Sequence, residues 1–137
     1  MIYVFDSSFV GALVIPDEKN PRVDMMYGKI ENEDEKCAPH LLWYEITNVF
    51  RKLIQRRRFT CDEVIQFYPR LLAIRLAIDN ESGINYSKKL LRLSNDYNLS
   101  SYDAAYLELA ERKNAVLCTF DEGLRAAAKR YGVTVIK

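Results

Sequence analysis

The chain has 137 residues, 49% of them hydrophobic and 28% charged, so it is long enough and apolar enough to fold as one soluble globular domain. Its formal net charge of +1 excludes a bulk electrostatic attraction to nucleic acid, so any basic surface has to be local. The three cysteines form neither a CxxC pair nor a zinc-binding spacing, which fits a reducing compartment. The apolar run FVGALVI is too short to cross a bilayer and no basic segment precedes it, so a cytoplasmic protein is expected.

Strands and helices alternate along the first half of the chain. MIYVFD predicts a buried strand, and SSFVGALVI predicts a short helix capped by Ser7 or Ser8. The Asn-Pro pair at 20–21 predicts the start of a helix over residues 21–32. CAP predicts a brief second strand, and apolar residues at three- and four-residue steps predict a long helix over 41–57.

The second half of the chain continues this alternation. Thr60 and Glu63 fit a capping box at the start of a helix that a proline then kinks or divides. IRLAID fits a strand or a helix end and is assigned to a strand. Residues 86–97 are assigned to a helix, and LSSYDAAYLELA to the start of another helix. AVLCTFD predicts a buried strand, EGLRAAAKRYG a helix that ends at Gly132, and VTVI a last strand. The pattern predicts an α/β fold with a central parallel sheet and helices on both faces, in one domain over residues 1–137.

Two acidic residues directly follow predicted strands. Asp6 ends the first strand, and Asp121 ends the AVLCTF strand. Because ligands of open α/β sheets bind at the carboxyl ends of the strands, both carboxylates should emerge at the edge where a ligand would sit. Each acid taken alone also fits a helix cap, since an acid after a strand often caps the next helix.

Asp103 and Glu45 are further candidates. Asp103 lies at a helix start in an S-x-x-D pattern, which fits a capping box, but capping and ligation both place a carboxylate at the positive end of a helix. Glu45 lies three residues after Leu42 and four before Val49, so the helix turns it toward the core side or its border. There it either reaches out to water or faces a polar pocket that Asn48, one turn further on, would also line.

Together these residues predict four carboxylates at one edge of the sheet. Two like charges about 4 Å apart repel by about 4 kcal/mol at an effective dielectric constant of about 20, so the cluster persists only if protons or a cation neutralise it. Carboxylate oxygens suit Mg²⁺ or Mn²⁺. The single histidine, His40, and the scattered cysteines argue against a zinc site and against Ser-His or Cys-His catalysis. No phosphate-cradling glycine motif is present.

The motifs that carry these acids resemble those of the PIN-domain ribonucleases, and most closely the VapC-type toxins of toxin–antitoxin pairs. The resemblance spans nearly the whole chain and rests on FDSS, YEITNVFRK, LSSYDAAYLELA and LCTFDEGL, while residues 58–98 carry little that is diagnostic. The family's metal-binding acids match Asp6, Glu45, Asp103 and Asp121. Three neighbouring polar residues are candidate supporting residues: Thr119, two positions before the last acid, Asn48, one turn after the glutamate, and Ser7.

This resemblance implies a PIN-like domain with a definite activity and definite partners. The implied activity is endonucleolytic cleavage of RNA that depends on Mg²⁺ or Mn²⁺ held by the four acids. The implied partners are an RNA substrate, a small co-encoded antitoxin protein and a second copy of the chain in a homodimer.

RNA binding also needs basic residues near the acids. The C-terminal half of the Glu45 helix and the residues after it carry such a group, namely Arg51, Lys52, Arg56, Arg57 and Arg58. These residues are either a phosphate-binding surface or a solvated basic helix end that the helix dipole favours. Exposed tyrosines could stack on unpaired bases, but the sequence does not choose among its nine tyrosines.

Other functions compete with this interpretation. A phosphoacceptor domain needs a second acid close to the first, and a haloacid-dehalogenase-type phosphatase needs DxD; FDSS supplies neither. A DNA nuclease or an RNA-processing nuclease of related fold stays open. A non-catalytic interaction module, in which the acids only cap helices, predicts no metal dependence.

Overall fold

A sheet of four short parallel strands forms the centre of the computed structural model, which describes residues 1–18 and 20–137. The strands are β1 (Ile2–Phe5), β2 (Glu35–Pro39), β3 (Ala77–Asp79) and β4 (Val116–Cys118). Their order is β3-β2-β1-β4, and each pairing is parallel. The chain therefore winds from β1 to one side of the sheet and later returns to the other side, which makes the carboxyl ends of β1 and β4 the topological switch point.

Helices of very different length connect and cover the strands. In the described residues they are α1 (Ser7–Val14), α2 (Pro21–Tyr27), α3 (Leu42–Gln55), α4 (Cys61–Ile65), α5 (Tyr68–Ile74), α6 (Ile84–Tyr97), α7 (Ser101–Arg112) and α8 (Glu122–Tyr131). None of these helices is long and apolar enough to cross a bilayer.

The core lies on both faces of the sheet because successive strand residues point in opposite directions. Tyr3 and Phe5 of β1 belong to a buried cluster that contains apolar residues of α1, α2, α3 and α5. Val4, between them, belongs to a second cluster with residues of α6, α7 and α8. Leu117 joins the second cluster while its β4 neighbour Cys118 joins the first. The predicted α/β fold, with a central parallel sheet and helices on both faces, is confirmed.

Several local predictions are also confirmed. The Thr60 hydroxyl accepts a hydrogen bond from the Glu63 amide, and the Glu63 carboxylate accepts one from the Thr60 amide, which completes the capping box of α4. The predicted division of the helix occurs just before Pro69, since α4 ends at Ile65 and α5 begins at Tyr68, with Pro69 in its first turn. Gly132 ends α8 with a φ of +92°, a conformation that glycine adopts without the cost a Cβ would add.

Three local predictions are wrong. The cap of α1 is the side chain of Asp6, not Ser7 or Ser8. The helix expected over 21–32 ends at Tyr27, where a turn begins that returns the chain to β2. VTVI forms one parallel bridge, between Val135 and Leu117, because the preceding backbone still folds back onto α8 through the Val133 amide and the Ala128 carbonyl at 2.9 Å.

Candidate active site

Asp6 lies at the carboxyl end of β1, next to the end of β4. Its side chain is only 4% exposed. The backbone amide of Phe9 donates to Asp6 Oδ1 at 2.9 Å, so this carboxylate caps α1. The Asp6 amide donates to the carbonyl of Cys118 at 3.2 Å, which ties the end of β1 to the end of β4. The residue is therefore held by the sheet on one side and by a helix start on the other.

Two hydroxyl groups complete the surroundings of the Asp6 carboxylate. Ser8 Oγ donates to Oδ1 at 2.7 Å, and the Thr119 hydroxyl, which is fully buried, donates to Oδ2. Ser8 Oγ also accepts from the Phe120 amide at 3.0 Å, so it links the start of α1 to the loop after β4. These donors stabilise a negative charge on Asp6, which is almost completely buried.

The loop from β4 to α8 places the second acid. Thr119 Oγ1 accepts from the Asp121 amide at 3.0 Å, and Asp121 Oδ1 accepts from the Leu124 amide at 2.7 Å. Asp121 is thus the N-cap of α8 as well as a neighbour of Asp6, since its charge acts on the pKa of Asp6. Asp121 therefore has both of the roles that its sequence position allowed, as a helix cap and as an acid beside Asp6.

Glu45 points from the first turn of α3 toward α7. The phenol of Tyr106 donates to Glu45 Oε1 at 2.7 Å. Burial raises the pKa of Tyr106, so the phenol keeps its proton and stays a donor. Glu45 is half-buried. Its position on the apolar stripe allowed it either to reach out to water or to face a polar pocket, and it faces the pocket, against the buried Tyr106.

Asp103 is in the first turn of α7 but does not complete a capping box. The Ser100 hydroxyl caps the helix by accepting from the Asp103 amide at 3.1 Å. Within the described residues, no backbone amide donates to the Asp103 carboxylate in return. The carboxylate is half-buried and faces the other acids, as its pKa indicates. Its position at the helix start is therefore not explained by capping.

The pKa shifts of these acids indicate that their charges repel one another. Burial is the largest cause that raises the pKa of Asp6, of Glu45 and of Asp103. Repulsion adds to it: Asp121 and Asp6 raise the pKa of Asp103, and Asp103 and Asp6 raise that of Glu45. Hydrogen bonds from hydroxyl groups, Thr119 and Ser8 on Asp6 and Tyr106 on Glu45, oppose the rise. We call the set of Asp6, Glu45, Asp103 and Asp121 the four-acid site.

The donor chemistry of the four-acid site fits a hard divalent cation, although its side chains do not form a closed cage. Among residues 1–18 and 20–137, no three acidic, histidine or cysteine side chains lie close enough together to hold one metal ion as they stand. The oxygens engaged by protein donors include Glu45 Oε1 and Asp121 Oδ1. Each of these two side chains has a second oxygen that accepts no protein hydrogen bond from the described residues, so a ligand oxygen stays available.

The structure separates the remaining predicted residues. Asn48 is exposed one turn after Glu45 and shares a cavity with it. Ser7 is in the first turn of α1, where its neighbour Ser8 makes the bonds to the site. Arg58 donates to Asp17 at 2.6 Å and to Glu18 at 3.2 Å, so acids of the α1–α2 connection already engage it. The other predicted basic residues are exposed on or just after the C-terminal half of α3: Arg51, Lys52, Arg56 and Arg57.

Two residues that hold the site are not predicted from the sequence. The sequence indicates Ser8 only as a helix cap, and a shift of one residue decides that Ser8, rather than Ser7, reaches both Asp6 and the Phe120 amide. Tyr106 lies 61 positions from Glu45 in the chain, and nothing local in YDAAYLELA marks it. A tyrosine three residues after Asp103 is on the same helix face, which is the one signal that could have indicated it.

The fold and the four-acid site define the class of protein. The model of the PIN-domain family matches residues 3–130, and the chain belongs to this family. The resemblance that the motifs carry is therefore confirmed.

Particular relatives span nearly the same length. The chain is 27% identical to Ribonuclease VapC3 of Pyrobaculum aerophilum over 124 residues, which are 90% of this chain and 92% of that protein. The crystal structure of PAE2754 from the same organism has a TM-score of 0.72 at 23% identity, covering 98% of this chain and 92% of that one. A toxin–antitoxin complex from Klebsiella pneumoniae has a TM-score of 0.60 at 18% identity, covering 87% and 86%. The two structural likenesses show a shared fold.

Proposed function

We propose that this protein is a divalent-metal-dependent endoribonuclease and the toxin of a toxin–antitoxin pair. The observation that carries the proposal is the four-acid site at the switch point of the sheet, where burial and the neighbouring acids of the site raise the pKa values of Asp6, Glu45 and Asp103. In the described residues, no salt bridge engages any of the four acids. Acids held together in this way need a cation to be stable in the charged form.

Each acid has a role that follows from its surroundings. Asp6 is the central ligand in this proposal, because hydrogen bonds from Ser8, Thr119 and the Phe9 amide fix its orientation. Asp103 and Asp121 would complete the metal site from the starts of their helices. Glu45, oriented through Oε1 by Tyr106, would bind metal or orient the attacking water with Oε2. A bound Mg²⁺ or Mn²⁺ supplies a nucleophilic water at neutral pH and stabilises charge on the phosphate.

The RNA-binding residues in this proposal lie along α3. Arg51, Lys52, Arg56 and Arg57 are exposed and follow Glu45 on the same helix or just after it, so a strand whose phosphate is at the four-acid site could extend over them. Arg58 contributes less, because Asp17 and Glu18 already pair with it.

The partners follow from the family and its relatives. The similar Pyrobaculum protein is named a ribonuclease, and a structural neighbour is a toxin–antitoxin complex, which support an RNA substrate and an antitoxin for this chain. An antitoxin arginine placed among the four acids would neutralise them and compete with Mg²⁺. A homodimer stays part of the proposal, as the motif resemblance implies it.

The test is metal-dependent cleavage of single-stranded RNA by the purified protein. We expect cleavage with Mg²⁺ or Mn²⁺, no cleavage with EDTA, and a loss of more than about 100-fold in the Asp6→Asn variant, since even residues outside the metal ligands typically contribute about 10- to 100-fold. Asp96→Asn, an exposed acid on α6, is the matched control and should cleave at the normal rate.

Three results would contradict the proposal. Cleavage that persists after thorough chelation would exclude the metal mechanism. Full activity of Asp6→Asn would remove the four-acid site from catalysis. A DNA strand of the same sequence, cleaved faster than the RNA, would favour a DNA nuclease.

A further inference from the structure

An open cavity of about 470 Å³ lies beside the four-acid site, where the first turns of α3 and α7 meet. It is lined by Leu41, Tyr44, Glu45, Asn48 and Tyr102. Its volume falls in the range of about 300–1,000 Å³ that small-ligand sites occupy. Glu45 belongs both to this cavity and to the four-acid site, and Tyr102 directly precedes Asp103. A molecule in the cavity would therefore lie next to the acids.

Two tyrosines form exposed walls of this cavity. Tyr44 is 69% exposed and Tyr102 is 61% exposed, so neither ring contributes much to the core. By contrast, Tyr106, one turn further along α7, is 1% exposed because it packs in the core. The Tyr44 ring has one aromatic neighbour, His40, at a centroid distance of 5.9 Å. Two large rings are thus held at the surface beside a cavity, where they are available to a ligand.

Charge decides which part of a nucleotide the cavity accepts. Glu45 contributes a carboxylate to the wall, so a phosphate there would be repelled. A nucleobase carries no charge, its faces stack on aromatic rings, and the Asn48 amide offers both a donor and an acceptor to a base edge. The phosphates have their own place further along the helix, since Arg51 and Lys52 follow Asn48 by three and four residues and lie on the same side of α3.

We propose that this cavity binds one unpaired base of an RNA strand, with Tyr44 and Tyr102 as its stacking surfaces and Asn48 at the base edge, beside the phosphate that would be hydrolysed at the four-acid site. The inference rests on the proposed ribonuclease function and narrows its substrate. A base inside an A-form duplex cannot reach such a cavity, because sequence-specific contacts to RNA are made with bases that are unstacked in loops and single strands.

The experiment measures equilibrium binding of a fluorescent single-stranded RNA, with Mg²⁺ present and in the Asp6→Asn background so that the strand stays intact. Tyr102→Ala and Tyr44→Ala should each weaken binding by about 5- to 150-fold, the usual contribution of a base stacked on an aromatic ring. Tyr102→Phe and Tyr44→Phe keep a ring and should stay within about 2-fold. Tyr68→Ala, which removes an exposed tyrosine outside this cavity, is the matched control.

Two further measurements separate stacking from charge. In a series of RNA strands, one base is removed at a different position in each strand. One of these strands should bind the unsubstituted protein as weakly as the complete strand binds Tyr102→Ala. Tyr102→Ala should bind that strand and the complete strand with equal affinity, because the base and the ring act on each other. The salt dependence of binding should be unchanged in Tyr102→Ala and flatter in Lys52→Ala, because only lysine releases counterions from a phosphate.

The outcomes distinguish this inference from the proposed function. If the unsubstituted protein cleaves RNA with Mg²⁺ and both alanine variants bind as before, the inference is wrong and the ribonuclease function stands. If the phenylalanine variants bind as weakly as the alanine variants, the phenols bind by hydrogen bonds and stacking is excluded. If Tyr44→Ala or Tyr102→Ala changes the sedimentation of the RNA-free protein, the tyrosines belong to an interface between protein chains.

Discussion

Helix α7 carries acids at both ends, and the fold treats the two ends in opposite ways. At the N-terminal end Asp103 faces other acids, and burial and repulsion raise its pKa. Toward the C-terminal end Glu108 is 2% exposed and accepts from Arg112 Nε at 2.7 Å and from Lys89 Nζ at 3.4 Å. Arg112 also forms two hydrogen bonds with Asp79, of 2.7 and 3.1 Å, and lowers its pKa.

The two groups of acids differ in the partners that the chain provides for them. Around Glu108 the chain supplies its own cations, so the acids are charged, paired and fixed, and they connect α6 and α7 to the end of β3. Around Asp103 the chain supplies the neutral hydroxyl of Ser100, and around Asp6 it supplies two hydroxyls and one amide. This contrast supports the proposal that the four-acid site binds a cation that the chain itself does not supply.

The largest expected effects come from one substitution at each end of α7, Asp103→Asn and Arg112→Met. Asp103→Asn should lower RNA cleavage by more than about 100-fold and leave the free energy of unfolding unchanged or higher, because it removes one charge from a repelling group. Arg112→Met should lower the free energy of unfolding by about 2–3 kcal/mol, below the full cost of breaking a buried ion pair because Arg112 is partly exposed and Lys89 remains. Initial cleavage rates and urea unfolding measure both.

One result would contradict the prediction for Asp103. Should Asp103→Asn lose more than about 1 kcal/mol of stability in metal-free buffer, Asp103 would be a capping residue despite the missing amide contact. Arg112→Lys, which keeps the charge but loses the two-bond geometry with Asp79, should fall between the Met variant and the original protein.

The sequence predicts those residues of the four-acid site whose positions depend on where a strand ends or a helix begins. Asp6 and Asp121 follow buried strands, and a parallel sheet brings such ends together whatever the details of packing. Asp103 is at a helix start, and Glu45 interrupts an apolar stripe, so its side could be inferred from periodicity. The motif order then matched a known family. These features are local in the chain, which is why one sequence suffices to find them.

Features that depend on tertiary packing could not be predicted in this way. The bond from Tyr106 to Glu45 joins two helices 61 residues apart, and the pairing of Arg58 with Asp17 joins α1's end to α3's end across 41 residues. VTVI has the composition of a strand, yet β4 beside it is only three residues long and offers one bridge. Local propensity fixes neither a partner nor the length of a neighbouring strand.

A smaller effect is expected from the hydroxyl that joins the two strand ends. Thr119→Val keeps the side chain's shape but removes the donor to Asp6 and the acceptor of the Asp121 amide. Mg²⁺ affinity should fall by about 10-fold, as is typical when a residue that orients a ligand is lost. Stability should fall by about 1–2 kcal/mol, because a buried carboxylate and an amide lose a partner.

Thr119→Ser is the control for this prediction, since it keeps the hydroxyl and removes only a methyl group. Calorimetric titration of Mg²⁺ into the three proteins measures the affinities. Equal affinity in Thr119→Val and the original protein would mean that Thr119 stabilises the fold without orienting Asp6 toward a metal.

The smallest expected effect is the pH dependence of stability without metal, and it has opposite signs in the two groups. The pKa of Asp103 is raised, so the folded state binds more protons than the unfolded state between the ordinary value and the folded one. In that interval this residue lowers stability as pH rises. The pKa of Asp79 is lowered by Arg112, so below the ordinary value this residue raises stability as pH rises.

Difference curves isolate the two signs, since the unsubstituted protein contains both. With EDTA present, the stability of Asp103→Asn relative to the original protein should rise by a few tenths of a kcal/mol as pH increases above the ordinary aspartate pKa, a small change because Asp103 is half-exposed. The stability of Asp79→Asn relative to the original protein should instead fall as pH increases toward that value. Saturating Mg²⁺ should reverse the first curve, because the metal then stabilises the charged form that repulsion had opposed. Urea midpoints across the acid range measure all three curves, and parallel slopes for the two variants would show that Asp103 is neutralised within the folded chain as fully as Asp79, so that no cation from outside is required.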